Sequence, residues 1–483
     1  MLPFQKTTIY KEALSAIKEI NDVFLREHAG IFREKTESEA LALTGSIAKA
    51  LNDSEPESQT RHFKDSMDST AGLISILDAA QSMQISDTDK ISALAKKLYD
   101  LRGKITDFGK KRKKVLILYS QIGQGHISAA KAVQEAIGHL YGYDIEVETV
   151  DFMEFISSGL TKVTQKTYDG TTKFAPLLVK LFFEGTDKSW TVKFLNRINY
   201  PFVVTKLKTF LEEKKPDIII STFPLWDYIT AEVWKKSDKN AKFISIVTDS
   251  ITIHNGWVVA DSDYHIVANE DTASSLRGLG VDTKKIKILG FPVRLDFLET
   301  IDRAQFLSQH GLNPDLFTVL FLPAAQNPRR NIKIIKELNR AEQDFNLIVI
   351  TGRDPKIKPK MEKIATGKNV KIIGWTDMMP QFIKAANMVV TKAGGATVME
   401  CIAAERPMII TSMIPGQEQG NGELIKRYDL GIIAPSANMG IAESIDYIHK
   451  NYDTFIKNLK KISNPRAALK IAEFIHKLLE ENN

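Results

Sequence analysis

The chain has 483 residues, 43% of them apolar and 26% charged, with a formal net charge of +6 and a single cysteine. That length accommodates two or three domains of ordinary globular composition. No apolar run reaches the 18 residues of a bilayer-spanning helix, and the lone Cys401 excludes an internal disulfide. The N-terminus, Met1-Leu-Pro-Phe-Gln-Lys6, lacks the apolar stretch of a secretory signal, so a reducing, cytoplasmic setting is expected.

Residues 1–110 carry helical periodicity and no strand pattern. Ile9, Ala13, Ile17, Ile20 and Phe24 recur at helical spacing, as do Ala40, Leu43, Ile47 and Leu51. Thr36-Glu-Ser-Glu39 has the form of a capping box that would start the second set. Phe63, Met67, Ala71, Ile74 and Leu77 make a third stripe, and Ile91, Leu94, Leu98 and Leu101 a fourth. A small helical bundle is predicted, its role open between plain packing and docking, oligomerisation or regulation. The basic run Gly109-Lys-Lys-Arg-Lys-Lys114 reads as a solvated junction. No aromatic or helical DNA-reading element accompanies it, so no nucleic-acid partner is expected.

Strands and helices then alternate. Val115–Tyr119, Ile145–Val150, Ile218–Ile220, Phe243–Val247 and His265–Ala268 are apolar runs of buried-strand type, separated by helical spacers. A second series follows Gly290-Phe-Pro-Val-Arg294: Val319–Leu322, Leu347–Ile350, Val370–Ile373, Met388–Val390 and Met408–Ile410. The fold class is therefore α/β, with two doubly wound parallel sheets and ligands at the carboxyl ends of their strands. The predicted division is a helical extension over 1–110, one Rossmann-like domain over 111–295 and a second over 296–463. A C-terminal helix over 464–483 completes it, capped by Asn464 with Pro465 in its first turn.

Two strand ends in the first domain carry polar clusters. Ser120 to His126 ends in Gly123-x-Gly125-His126, where the first strand meets the first helix. A dinucleotide fingerprint is the competing reading, with Asp151 as its ribose acid, but Ser128 stands where its third glycine belongs. The second cluster is Thr248-Asp249-Ser-Ile-Thr-Ile-His254-Asn-Gly-Trp257. Nearby Asp261-Ser-Asp263 has the spacing of a metal-binding pair but leads straight into a strand. No cluster has metal-ligand spacing, so no metal or other cofactor is expected.

The densest signal lies in the second domain, at Lys392-Ala-Gly-Gly-Ala-Thr-Val-Met-Glu400 followed by Pro415-Gly-Gln-Glu-Gln-Gly-Asn421. Gly394 and Gly395, without Cβ atoms, let a ligand approach the backbone. The helix after them would aim its unpaired N–H groups and positive dipole end at that ligand. Glu400 sits one to two turns in, suited to vicinal hydroxyls such as those of a ribose, and Gln417, Glu418 and Asn421 suit sugar hydroxyls. Together they describe a pocket for a nucleoside diphosphate joined to a sugar.

These two stretches resemble the donor-binding motifs of glycosyltransferase family 28. The closest likeness is to its branch of monogalactosyldiacylglycerol synthases and processive diacylglycerol glucosyltransferases. The resemblance implies the GT-B architecture, two Rossmann-like domains facing a cleft, with the last helix packed back on the first domain. It implies that Gly125, Gly352, Arg353, Lys392, Gly394, Gly395, Thr397, Glu400, Gln417, Glu418 and Asn421 bind a UDP-sugar, UDP-glucose or UDP-galactose. Ser120 through His126 matches the family's S-x-x-G-x-G-H loop, whose histidine is its proposed base, and a neutral imidazole suits deprotonation of an alcohol. The Thr248–Trp257 stretch is similar to one in the lipid-glycosylating branch. Asp249 would orient or charge-stabilise the base or bind acceptor, and His254 would serve the acceptor. Trp257 would stack on sugar, line a lipid entrance or pack in the core. The loop Leu322-Pro-Ala-Ala-Gln-Asn-Pro-Arg-Arg330 departs from the glycine-rich family form, leaving Arg329 or Arg330 to supply positive charge.

Between Phe155 and Lys215 there are 11 Lys/Arg against 5 Asp/Glu, interleaved with aromatics that include Phe182, Phe183 and Trp190. Such a surface suits peripheral attachment to anionic lipid on the inner face of a membrane. The expected activity is inverting transfer of a hexose to a lipid hydroxyl, diacylglycerol first. Three alternatives stand beside it: an undecaprenyl-linked muramyl-pentapeptide acceptor, a UDP-sugar epimerase, and a non-catalytic UDP-sugar-binding regulator.

Overall fold

The computed structural model describes residues 12–20, 30–52, 56–82, 88–106, 113–121, 124–141, 145–151, 154–155, 200–235, 237–324, 328–339, 344–353, 357–365, 369–414, 418–434 and 439–481. Phe182, Phe183, Trp190 and Gln417 lie outside these residues. The chain forms two compact units.

The smaller unit comprises Met1–Lys113, Ile137–Val147 and Leu298–Thr300. Its described helices are 12–20, Gly30–Asn52, Pro56–Ser82 and Thr88–Thr106. The expected stripes are its core: Leu43, Ile47, Ile74, Leu77, Ile91 and Leu98 are wholly buried. The capping box is not used. The helix begins at Gly30 and runs through Thr36, which is 1% exposed inside it. Burial of its face against the next helix sustains helix on the N-terminal side of that local start signal. Within this unit Arg102 donates to the Leu140 carbonyl, and Asp78 meets the His139 ring at 3.1 Å.

The chain also forms two six-stranded parallel sheets, which lie in the larger unit apart from Lys113 and Ile145–Val147. The first has the order β2-β1-β3-β4-β5-β6, built from β1 (Lys113–Tyr119), β2 (Ile145–Asp151), β3 (Ile218–Ser221), β4 (Lys242–Ile246), β5 (Tyr264–Val267) and β6 (Ile286–Ile288). The second has the order β12-β11-β10-β7-β8-β9, from β7 (Phe317–Phe321), β8 (Phe345–Ile350), β9 (Val370–Ile373), β10 (Met388–Thr391), β11 (Met408–Ile410) and β12 (Gly431–Ile433). Two doubly wound sheets make this the GT-B architecture. Central strands such as β3 and β10 are buried along their whole length, which is why they read as unbroken apolar runs. β6 and β12 are three-residue additions that periodicity did not reveal.

Strand order locates the sites. The winding direction reverses between β1 and β3, where Val115 pairs with Ile218, and between β7 and β10, where Phe321 pairs with Val390. Ligand crevices in such sheets open at the carboxyl ends beside these reversals. The polar loops Ser120–His126 and Lys392–Gly395 begin there.

The final helix runs Ala467–Glu480, starting two residues later than expected. Asn464 does not cap it; its side-chain amide donates to the Leu289 carbonyl at 2.8 Å instead. Further along, Phe474 meets Tyr264 of β5 edge-on at 5.0 Å between centroids.

Candidate active site

His126 opens the buried face of the helix Gln124–Tyr141 and is 9% exposed. Its Nδ1 lies 2.6 Å from the Thr222 carbonyl, just past β3, and 2.9 Å from Thr248 Oγ1, just past β4. A carbonyl only accepts, so Nδ1 carries the proton and Nε2 keeps its lone pair. The Thr222 hydroxyl returns a bond to the His126 carbonyl at 3.1 Å. Phe223 packs edge-on at 5.0 Å between ring centroids. Burial lowers the imidazole pKa below its usual value, opposed by the Asp249 carboxylate and the bond to Thr222. The ring is therefore neutral at physiological pH, tautomerically fixed, and a competent proton acceptor.

Asp249 is engaged by its own loop. Its Oδ2 accepts from Trp257 Nε1 at 2.8 Å and from the His254 backbone N–H at 3.2 Å. Trp257 is fully buried among Val247, Val267, Ala273, Leu276 and Ile286. Of its three readings, core packing holds: an enclosed indole neither stacks on a sugar nor lines a lipid entrance. His254 turns inward as well, its Nδ1 accepting from Gly256 N at 2.9 Å to cap a short 3-10 turn. Asp151 is equally occupied, accepting from Gln121 N at 2.8 Å and Glu154 N at 3.0 Å. Asp261 and Asp263 pair with Lys285 and Lys239.

Across the crevice, β10 runs into the helix Gly395–Ala403. Gly394 caps it without a side chain, leaving the first N–H groups to a ligand. The Lys392 ammonium stands beside this turn, paired with Glu418. A Cβ on Gly394 would sit 3.4 Å from Lys392 Nζ, and one on Gly125 would be 3.8 Å from Ala396 N. The first domain's loop thus meets the helix end directly. Glu418 is buried and accepts from Ile414 N at 2.9 Å through its other oxygen. Asn421 donates to the Ala393 carbonyl at 2.9 Å, and its own carbonyl oxygen is buried without a partner among the described residues. That leaves one acceptor ready for a donor hydroxyl.

Thr397 is half-buried in the first turn of this helix. Glu400, further along, is also half-buried and takes a hydrogen bond from the Ser128 hydroxyl. Burial pushes its pKa up to about 7, against the pull of the Arg294 guanidinium and that hydrogen bond. Arg294 itself donates to the Asp377 carbonyl at 2.9 Å.

Gly352 (φ +73°) and Arg353 follow β8. The Arg353 guanidinium lies over the Trp375 ring at 5.0 Å, and Trp375, past β9, is 51% exposed. Both line an open cavity of about 530 Å³ with Thr351, Lys358, Pro359 and Gly374. Sequence reasoning gave no role to Trp375, Thr222 and Ser128, and none of its own to Thr248 within its cluster, yet they contact Arg353, His126, Glu400 and His126 respectively. Their one available signal was position, each lying at or just past a strand end or one helical turn into the site. In the loop after β7, Asn331 clamps Ala324 through both its amide atoms.

Residues 126–293 match the model of the monogalactosyldiacylglycerol (MGDG) synthase family, and residues 328–427 match the glycosyltransferase family 28 C-terminal domain. The two matches together span more than half of the chain and cover both crevice walls. The chain belongs to glycosyltransferase family 28. Within it, the chain is 24% identical over 372 residues to a processive diacylglycerol beta-glucosyltransferase of Bacillus subtilis, covering 77% of this chain and 96% of that protein. It is 27% identical over 421 residues to the chloroplastic monogalactosyldiacylglycerol synthase 3 of Arabidopsis thaliana, covering 82% and 89%. Among solved structures, the sucrose-phosphate synthase of Thermosynechococcus elongatus superposes with a TM-score of 0.49 at 14% identity, over 77% of this chain and 100% of that one. This family 28 member is a glycosyltransferase of the glycolipid-forming branch. Among the described residues, no helix is long and apolar enough to cross a membrane.

Proposed function

We propose that this family 28 enzyme transfers a hexose from a UDP-sugar to the free hydroxyl of diacylglycerol, with inversion at the anomeric carbon and without a metal. The observation that carries the reading is the pairing of a neutral, Nδ1-protonated His126 with the open helix end at Gly395 across one crevice. The acceptor hydroxyl gives its proton to His126 Nε2 as its oxygen forms the new bond to the anomeric carbon. The bond from that carbon to the β-phosphate oxygen breaks, and UDP departs with the electron pair. Its growing charge falls on the helix N–H groups and on the Lys392 ammonium, a preorganised arrangement that does the work of a metal ion. Asp249 steadies the imidazolium as it forms. Glu418 and Asn421 would hold the sugar, Glu400 the ribose, and the Arg353–Trp375 cavity the base. UDP-glucose and UDP-galactose both suit this site.

The relatives named as acting on diacylglycerol favour that acceptor. Peripheral attachment to an anionic, inner-face membrane surface rests on the basic, aromatic stretch 155–215. Its described end, the helix Tyr200–Lys214, leaves Phe202 47% exposed.

His126→Ala should reduce turnover on diacylglycerol liposomes by about 100-fold or more, with UDP affinity by calorimetry unchanged. Turnover that survives the substitution removes His126 from the chemistry. The same liposome assay with undecaprenyl-linked acceptor, or with UDP-sugar alone, reports a different acceptor or an epimerase, and donor binding without any turnover reports a regulator.

A further inference from the structure

A wholly buried carboxyl lies behind the crevice. Asp227 sits in the first turn of the helix Pro224–Trp234 and is 0% exposed. Three hydroxyls surround it, from β3, β4 and the turn before β5. Ser221 Oγ lies 2.5 Å from Oδ2, Ser245 Oγ bonds Oδ1, and Ser262 Oγ is 2.8 Å from Ser245 Oγ. Ser221 also donates to the Phe223 carbonyl at 3.0 Å and accepts from the Phe223 N–H at 3.3 Å.

Counting protons distinguishes the two states of the acid. The single Ser221 proton has two acceptors within reach, Oδ2 and the Phe223 carbonyl, which also takes the Trp226 N–H at 3.0 Å. When it goes to Phe223, the contact between Ser221 and Oδ2 needs a proton of its own. With Asp227 neutral it has one, and Ser245 and Ser262 complete a chain in which every contact carries a separate proton. With Asp227 ionised, the Ser221 proton faces two acceptors at once. No charged side chain contributes to its titration; besides the hydroxyls, only its own backbone N–H favours the anion. Burial pushes the group up to about 8.

We infer that Asp227 is a neutral carboxylic acid that donates to Ser221 and so locks the Ser221–Phe223 turn, whose Thr222 carbonyl orients His126. It is a positioning residue for the base, and this role rests on the proposed function of His126. Loss of the Asp227 proton unfastens the turn, which gives turnover an alkaline limb.

The test uses the full chain. Infrared difference spectra of wild type against Asp227→Asn at pH 6 should show a protonated-carboxyl C=O band that is lost in the variant and bleached in wild type above pH 8. Asn can donate to Ser221 and accept from Ser245, so D227N should keep turnover within about threefold and lose the alkaline limb. D227A should lower kcat by about 10-fold with the donor KM unchanged. Absence of the band, equal damage in D227N and D227A, or wild-type kcat in D227A each overturns the inference. The band does not depend on catalysis. If it is present while His126→Ala is fully active, the base assignment fails and the protonation state stands.

Discussion

At the scale of single residues, burial sets the chemistry in opposite directions for bases and acids. It lowers the pKa of His126, so the acid limb of kcat/KM should lie below the usual imidazole value of 6.5. A pH–rate profile with that limb above 6.5 contradicts the assignment. It raises Asp227 from 3.8 to about 8. Between those values the folded chain holds a proton that the unfolded chain releases. Its contribution to stability is therefore complete below pH 3.8 and declines as pH rises towards 8, by roughly 1.4 kcal/mol per unit. D227N has no such slope: its melting temperature relative to wild type should be higher at pH 8 than at pH 5, and a constant difference refutes the shift. Residue type singled out His126, Lys392, Glu418 and Asn421 as candidates, because the chemistry of a base and of hydroxyl-binding groups is written in the side chains themselves. It did not make Trp257 legible, since an indole looks the same in a sequence whether it meets lipid or the core. Its ring is buried by the apolar cluster around it, and one Asp249 oxygen satisfies the indole N–H there.

At the scale of elements, the turn after β4 is pressed from two sides. The Ser275 hydroxyl of the helix Glu270–Gly278 donates to the Ile251 carbonyl at 2.6 Å, and Ile251 sits at φ +56°, a region that β-branched residues avoid. On the other side Gly420, in the helix Gln419–Arg427, touches the same turn. A Cβ there would stand 1.8 Å from the Ser250 carbonyl oxygen. Backbone cannot yield as a side-chain tip does, so Gly420→Ala must separate this helix from the turn carrying Thr248 and Asp249. Turnover should fall by about 10-fold or more while far-UV circular dichroism stays unchanged. Wild-type turnover in G420A would mean that the close approach is not used. The motif contains this glycine, but its reason is invisible in sequence, because the neighbour that demands it lies about 170 residues away. The two unforeseen strands have a related cause. β6 and β12 are sheet edges of three residues, too short for alternation to register and defined by pairing with β5 and β11.

At the scale of the whole larger unit, alternating strands and helices foretold two parallel sheets, but no pattern foretells how two sheets close on each other. Closure here depends on pairs from distant parts of the chain. Asp271, on the first half, receives Arg427 at 2.6 Å and the Tyr428 hydroxyl at 2.5 Å from the second. Arg427 ends the helix that starts beside Glu418 and carries Asn421, so the clasp holds one end of the element whose other end carries the proposed sugar contacts. Exposed ion pairs add little to folding stability, and Asp271→Ala should shift the melting temperature by only about 1–2 °C. Its effect belongs to the population of the closed form. A donor that binds only when the halves are closed loses apparent affinity in proportion to the fraction that has opened. The donor KM of D271A should rise several-fold at low salt with kcat unchanged. The gap to wild type should narrow as salt screens the wild-type pair. Steady-state kinetics at two ionic strengths decides the matter. A fall in kcat at constant KM would place the clasp in the chemical step, and an unchanged KM would leave closure to the apolar core that Ala129 shares with Val398, Met399 and Ile402.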